Sequence, residues 1–220
     1  MSIFSLLFIG LQLIVLPLLS FQSRTSLEET EEIPPRRALY IQSIIMLSVI
    51  GGLAALVDWR ESLDIHWFKV PGLKSIFIAV SLYLMGLVVS YFNFKYSQNK
   101  EEDKSALLLP AGKNEYLIWL VLCFTAAWSE EYIYRGVLSH LFIHHGMIYI
   151  LAILLSAVSF SFSHFTQGWL AIPVTFVFAL GFQYLYQVSG SLALPIAVHF
   201  LYNLSAEGVR RWLIGRSAGI

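Results

Sequence analysis

Of 220 residues only one, Cys123, is a cysteine, which excludes an internal disulfide and a thiolate metal cluster. Charge is scarce as well. Asp, Glu, Lys and Arg make up 13% of the chain, against roughly 25% in a soluble domain, so an ordinary water-soluble globule is excluded. Neither sign is in excess: Lys and Arg number 14, Asp and Glu 14, and no basic surface is available for nucleic acid. Disordered and coiled-coil classes need charge and few aromatics, whereas this chain carries 16 Phe, 11 Tyr and 6 Trp. No internal repeat is visible, and no linker divides the chain, which reads as one domain over 1–220.

What fills the chain is apolar runs. A helix needs about 20 mostly apolar residues to span a hydrocarbon layer, and by that measure seven segments qualify: 3–21, 38–57, 75–94, 116–139, 147–164, 169–188 and the shorter 191–205. The first lacks a cationic start and a small-residue cleavage site, so it reads as a spanning helix and not as a removed signal. The expected fold class is all-α, a polytopic membrane helical bundle of about seven transmembrane helices. Ten of the 14 Lys and Arg (Arg24, Arg36, Arg37, Lys95, Lys100, Lys104, Lys113, Arg210, Arg211 and Arg216) fall on one side of such a bundle. Cytoplasmic loops are enriched in these residues, so that side and the C-terminus are expected in the cytoplasm of a multi-pass cell-membrane protein, bacterial sooner than organellar. The stretch 207–216 reads as an amphipathic cap on the inner surface or as a solvated end.

An ionised side chain near mid-membrane costs a few kcal/mol or more, so such groups call for a function. They cluster in the fourth segment, at Ser129-Glu130-Glu131-Tyr132-Ile133-Tyr134-Arg135. Adjacent carboxylates on a helix project about 100° apart and cannot share one job. Glu131 and Arg135 are four apart in the favourable order for a helical ion pair, which leaves Glu130 to face elsewhere. Alternatively the cluster sits at the membrane edge and is simply hydrated. Phe160 and His164 share a helical face near the end of the fifth segment, and His199 and Asn203 share one in the seventh. Together Glu130, His164, His199 and Asn203 contain what hydrolysis needs: a base for water, a proton carrier and donors for an oxyanion. At about 1.5 Å per residue, Glu130 and His199 both fall near mid-depth, while His164 falls closer to the inner face, so a tilted or late-starting fourth helix is needed. His140, His144 and His145 read as connector residues after that helix, and His66 carries no assignment.

The order Glu-Glu-x-x-x-Arg (Glu130, Glu131, Arg135), Phe-x-x-x-His (Phe160, His164) and His-x-x-x-Asn (His199, Asn203) on three hydrophobic segments resembles the CAAX protease and bacteriocin-processing family (CPBP, or Abi). The motif-bearing core spans about 115–205. The resemblance implies an intramembrane endopeptidase acting on a membrane-associated protein or peptide, with the lipid bilayer as its other partner and no nucleic acid. Carried over, Glu130 and His164 activate water, His199 and Asn203 stabilise the oxyanion, and Glu131, Arg135 and Phe160 support them. The cofactor stays open between none and zinc. Two His and a carboxylate make a legitimate zinc set (Glu130, His164, His199), whereas Asn is an unusual ligand and no His-Glu-x-x-His occurs. No Gly-x-Ser-Gly is present, and Asp58, Asp64 and Asp103 all read as loop residues, so serine and aspartyl intramembrane proteases are unsupported. The alternative function is a proton- or cation-coupled transporter using the same buried acid and histidines.

Overall fold

The computed structural model describes residues 1–29, 34–97, 110 and 112–217, and among these residues there is no strand. Helix α1 is made of three contiguous stretches, Ile3–Gly10, Leu11–Val15 and Leu16–Glu29, the middle one π-helical. Ser2 caps it, its hydroxyl accepting the Ser5 N–H at 3.2 Å. The Pro34-Pro35 pair sets the start of α2, Arg36–Glu61, because proline is tolerated only at the head of a helix. Helix α3 is Leu73–Ser97. Helix α4 joins Lys113–Glu131, a π-helical Tyr132–Leu138 and Ser139–His144. Helix α5, Tyr149–Ser163, is followed by the 3-10 turn Phe165–Gln167. Helix α6, Ala171–Ser189, stops at Gly190, whose φ of 60° is the left-handed conformation glycine adopts without strain. Helix α7, Ala193–Ser217, completes the set of seven.

Four helical stretches are long and apolar enough to cross a membrane: Ile3–Ser26, Arg36–Glu61, Leu73–Asn93 and Ala171–Ser189. Their outward faces are apolar and open, as Leu7, Phe77 and Val80 illustrate, which suits hydrocarbon and not water. The other three helices depart from that pattern for separate reasons: α4 carries the charged motif, α5 is only 15 residues long, and α7 ends in a basic stretch.

Two expectations change here. The seventh segment does not stop at Ser205: α7 runs unbroken for 25 residues, Ala193–Ser217, because no Pro interrupts it after Pro195. Asp58 is not a loop residue either; it lies in the last turn of α2 and accepts the Tyr132 hydroxyl at 2.7 Å. The acidic residues Glu31 and Glu32 and the charged run 100–104 lie outside the described residues.

The helices pack in pairs, α2 on α4, α3 on α7 and α5 on α6, with α7 also against α4. The middle of α4 is the axis of the assembly. Every residue from 131 to 139 is buried, the mark of a helix surrounded on all sides. The largest cluster of buried apolar side chains forms around it, including Tyr132, Tyr134, Val137 and Leu138 with Ala54, Val57, Ala157 and Leu192.

Candidate active site

The Glu-Glu-x-x-x-Arg motif straddles the junction in α4 where α-helix gives way to π-helix at Tyr132. Such π segments are frequent at functional sites because the extra residue per turn re-aims the side chains around it. Glu131 is fully buried and Arg135 is 2% exposed, with Arg135 Nη1 lying 3.2 Å from Glu131 Oε1. A buried pair of this kind needs further partners to offset its desolvation. They come from aromatic rings: the guanidinium sits over Phe160 at 4.5 Å and over Phe182 at 5.5 Å from the centroids.

Glu131 has a second role that the local spacing does not reveal. His199 Nδ1, on α7, lies 2.9 Å from the same Oε1 atom. A carboxylate only accepts, so Nδ1 carries the proton and the lone pair of a neutral His199 sits on Nε2. His164 is fixed in the same sense. Its Nδ1 lies 2.8 Å from the carbonyl oxygen of Phe160, which also only accepts, so its Nε2 again bears the lone pair. The two Nε2 atoms converge on one point: each lies 3.8 Å from Glu130 Oε2.

His164 is not inside helix α5. It is the residue just after Ser163, with φ −97° and ψ 10°, and the chain turns there into the 3-10 segment. His164 nevertheless reaches Glu130, its Nε2 lying 3.8 Å from Oε2. With stretches of 19, 7 and 6 residues, α4 is about 48 Å long, more than the roughly 30 Å of a hydrocarbon core. The 3-10 turn is tied to α1 through Thr166 N–H to Ser20 Oγ at 3.0 Å and Phe21 stacked on Phe165 at 5.2 Å.

Phe160 is the divider of the site. Its ring meets the His164 ring at 4.3 Å on one side and the Arg135 guanidinium on another, with Tyr134 edge-on at 5.0 Å. Tyr134 is held by Ser163 Oγ at 3.1 Å, and Ser163 donates to Ser159 O at 3.0 Å. Phe182, from α6, contributes to the wall against His199 at 5.7 Å.

The structure therefore brings Glu130, His164 and His199 together, with Glu131, Arg135 and Phe160 beside them. Asn203, one turn beyond His199 on α7, is half-buried and has no hydrogen-bond partner among the described residues. Residues not expected from the sequence are Phe182, Tyr134, Ser159 and Ser163. The serines sit at helical spacing in α5, a signal for a polar strip, whereas nothing in the sequence marks Phe182. His140 is not a connector residue: it lies on α4 with Nδ1 2.7 Å from Gly136 O, because the helix continues to His144.

Residues 112–205 match the family model described as Rce1-like, type II CAAX prenyl endopeptidase Rce1-like. No curated protein and no solved structure matches the chain. The matched stretch contains all three motifs and every residue of the trio.

Proposed function

We propose, from the match of residues 112–205 to the Rce1-like CAAX endopeptidase model, that this protein hydrolyses a peptide bond in a membrane-associated protein or peptide, with Glu130, His164 and His199 at the centre of the reaction. The observation that carries this reading is the convergence of two imidazole Nε2 atoms on Glu130 Oε2 at 3.8 Å each, with both Nδ1 protons already committed elsewhere.

Glu130 Oε2 and His164 Nε2 are two acceptors side by side and suit the two protons of a water molecule, which then presents its own lone pair outward. Glu130 takes the proton as that water attacks the scissile carbonyl. His164 shares it and returns it to the departing amine. His199 stabilises the oxyanion by donating from Nε2, which requires its second proton, while its Nδ1 donates to the Glu131 carboxylate. Asn203, its side chain uncommitted, is the second donor. Tilting α7 or seating a substrate carbonyl brings the amide into use, in keeping with hydrogen bonds that form only in the substrate complex.

The same residues are of the types that bind zinc, although their three ligand atoms do not all lie within 4.8 Å of one another and would have to draw closer around an ion. Two Nε2 lone pairs and a carboxylate oxygen are a recognised ligand trio, and each histidine has its other nitrogen bonded to a carbonyl or carboxylate, as zinc-bound histidines do. Glu130, His164 and His199 would hold the ion, which when bound supplies Lewis acidity and a more acidic water. Protein that has been freed of metal and retains full turnover establishes the glutamate type; reversible loss on chelation establishes the metallo type.

The test is a cleavage assay with the purified chain in proteoliposomes and a panel of farnesylated and unprenylated CAAX peptides, read by mass spectrometry. The expected result is release of a C-terminal fragment from at least one peptide. Proton or cation flux across the same vesicles without any cleavage overturns the proposal in favour of a transporter.

A further inference from the structure

A second constellation of ligand atoms lies at the far end of α4, about 20 Å along the helix from Glu130. There α4 ends at His144, His145 is its C-cap, and α2 ends at Glu61. One ligand atom from each of Glu61, His144 and His145 lies within 4.8 Å of the other two. His145 Nε2 is 3.1 Å from Glu61 Oε2. Bonds of about 2.1 Å in a tetrahedral zinc site place ligand atoms roughly 3.4 Å apart, so this pair already has ligand spacing. His144 is exposed and terminal on its helix, free to close the remaining gap by a change of rotamer.

The carboxylate is oriented as a ligand would be. Glu61 Oε1 accepts the Ser2 N–H at 2.9 Å and the Ser5 hydroxyl, from the first turn of α1, while Oε2 is left to face His145. Division of labour between the two oxygens, with outer hydrogen bonds fixing the group, is the usual support around a metal-binding carboxylate. Two helix C-termini, those of α2 and α4, direct their partial negative charge at the cluster, which favours a cation. The neighbouring cation does not compete for it: the Arg60 guanidinium lies over the Phe4 ring at 5.6 Å. Asp58 is engaged by Tyr132. Two imidazoles and one carboxylate select a borderline transition metal over calcium or magnesium, which require mostly oxygen ligands.

We propose that Glu61, His144 and His145 form a second metal site, for a divalent transition ion of the zinc type, which ties the first turn of α1 to the C-terminal ends of α2 and α4. It has three protein ligands and an open position, and it is independent of the catalytic trio.

The experiment is calorimetric titration of zinc chloride into metal-stripped full-length protein carrying no histidine tag. The wild type is compared with the double variant His144→Ala/His145→Ala and with Glu61→Gln, each also in a His164→Ala background so that zinc at the trio does not intrude. The expected result is one equivalent lost in the double variant, and affinity at least about tenfold weaker in Glu61→Gln, in both backgrounds. Zinc should also raise the thermal midpoint of the His164→Ala protein but not of the triple variant, and the double variant should keep wild-type peptidase activity. His145→Gln, which preserves the side chain's polarity, guards against misfolding and should weaken zinc as well. Unchanged stoichiometry and affinity in the double variant, or zinc binding abolished by His164→Ala alone, overturns the site.

Discussion

Glu131 on α4 and His199 on α7 are 68 residues apart in sequence, yet His199 Nδ1 lies 2.9 Å from Glu131 Oε1. The same oxygen faces Arg135 Nη1 at 3.2 Å. One buried carboxylate oxygen thus neutralises a guanidinium and sets the tautomer of an imidazole whose other nitrogen faces Glu130. The adjacent glutamates differ in their direction around the helix: Glu131 faces Arg135 and His199 Nδ1, and Glu130 faces the Nε2 atoms of His164 and His199.

Glu131→Gln should therefore damage both stability and turnover. Leaving Arg135 buried without its counter-charge costs about 3–5 kcal/mol, and the misdirected imidazole lowers kcat about 10–100-fold. Thermal unfolding and a steady-state assay on the same sample check this; an unchanged midpoint contradicts the assignment.

Phe160→Leu keeps an apolar side chain but loses the face shared by Arg135 and His164. A desolvated cation–π contact is worth about 2 kcal/mol, so the variant should melt earlier and, with His164 less well walled, show lower kcat at nearly constant KM. Phe182→Leu, whose ring is farther from the guanidinium, should be milder. Equal behaviour of Phe160→Leu and the wild type would remove Phe160 from the account.

Gly86 on α3 permits close approach to α7: a Cβ there would lie 2.8 Å from two ring carbons of Tyr202. That ring is tethered through its hydroxyl to Ser90 at 2.9 Å, so it cannot swing away freely. Gly86→Ala should destabilise by about 1–3 kcal/mol and shift Tyr202, the neighbour of Asn203. A thermal midpoint at or above that of the wild type would show that α7 yields at no cost.

Local patterns were legible in the sequence, and contacts between distant segments were not. The Glu131–Arg135 pair and the Phe160–His164 ring contact follow from four-residue spacing, and seven helical segments follow from apolar runs. The Glu131–His199 contact depends on how α4 meets α7, and Phe182 enters from a helix with no motif. The π stretch Tyr132–Leu138 has no signature in residue type, because the widened turn is stabilised by surrounding helices and not by its own propensities. His164 looked helical since apolar periodicity continues to it, yet the chain turns there, where the 3-10 segment is anchored to Ser20 and Phe21. The seventh apolar segment ends at 205 because the tail beyond it is polar, whereas the helix itself continues to Ser217.

Topology gives a further check. In a protein with Cys123 replaced, probe cysteines at Ser97 and Ser217 should be shielded from an impermeant reagent in intact cells and react after lysis, while one at exposed Ser62 should label from outside. Labelling of Ser97 and Ser217 on opposite sides would mean that an odd number of the four helices between them crosses the membrane.

The most direct measurement is the cleavage rate of Glu130→Gln against the wild type in matched proteoliposomes, with helicity and thermal midpoint recorded for both. The amide keeps the side chain's volume but cannot take a proton, so the rate should fall by at least about 100-fold with the fold intact. Equal rates would contradict the central claim, because Oε2 of Glu130 is the atom on which both histidines converge.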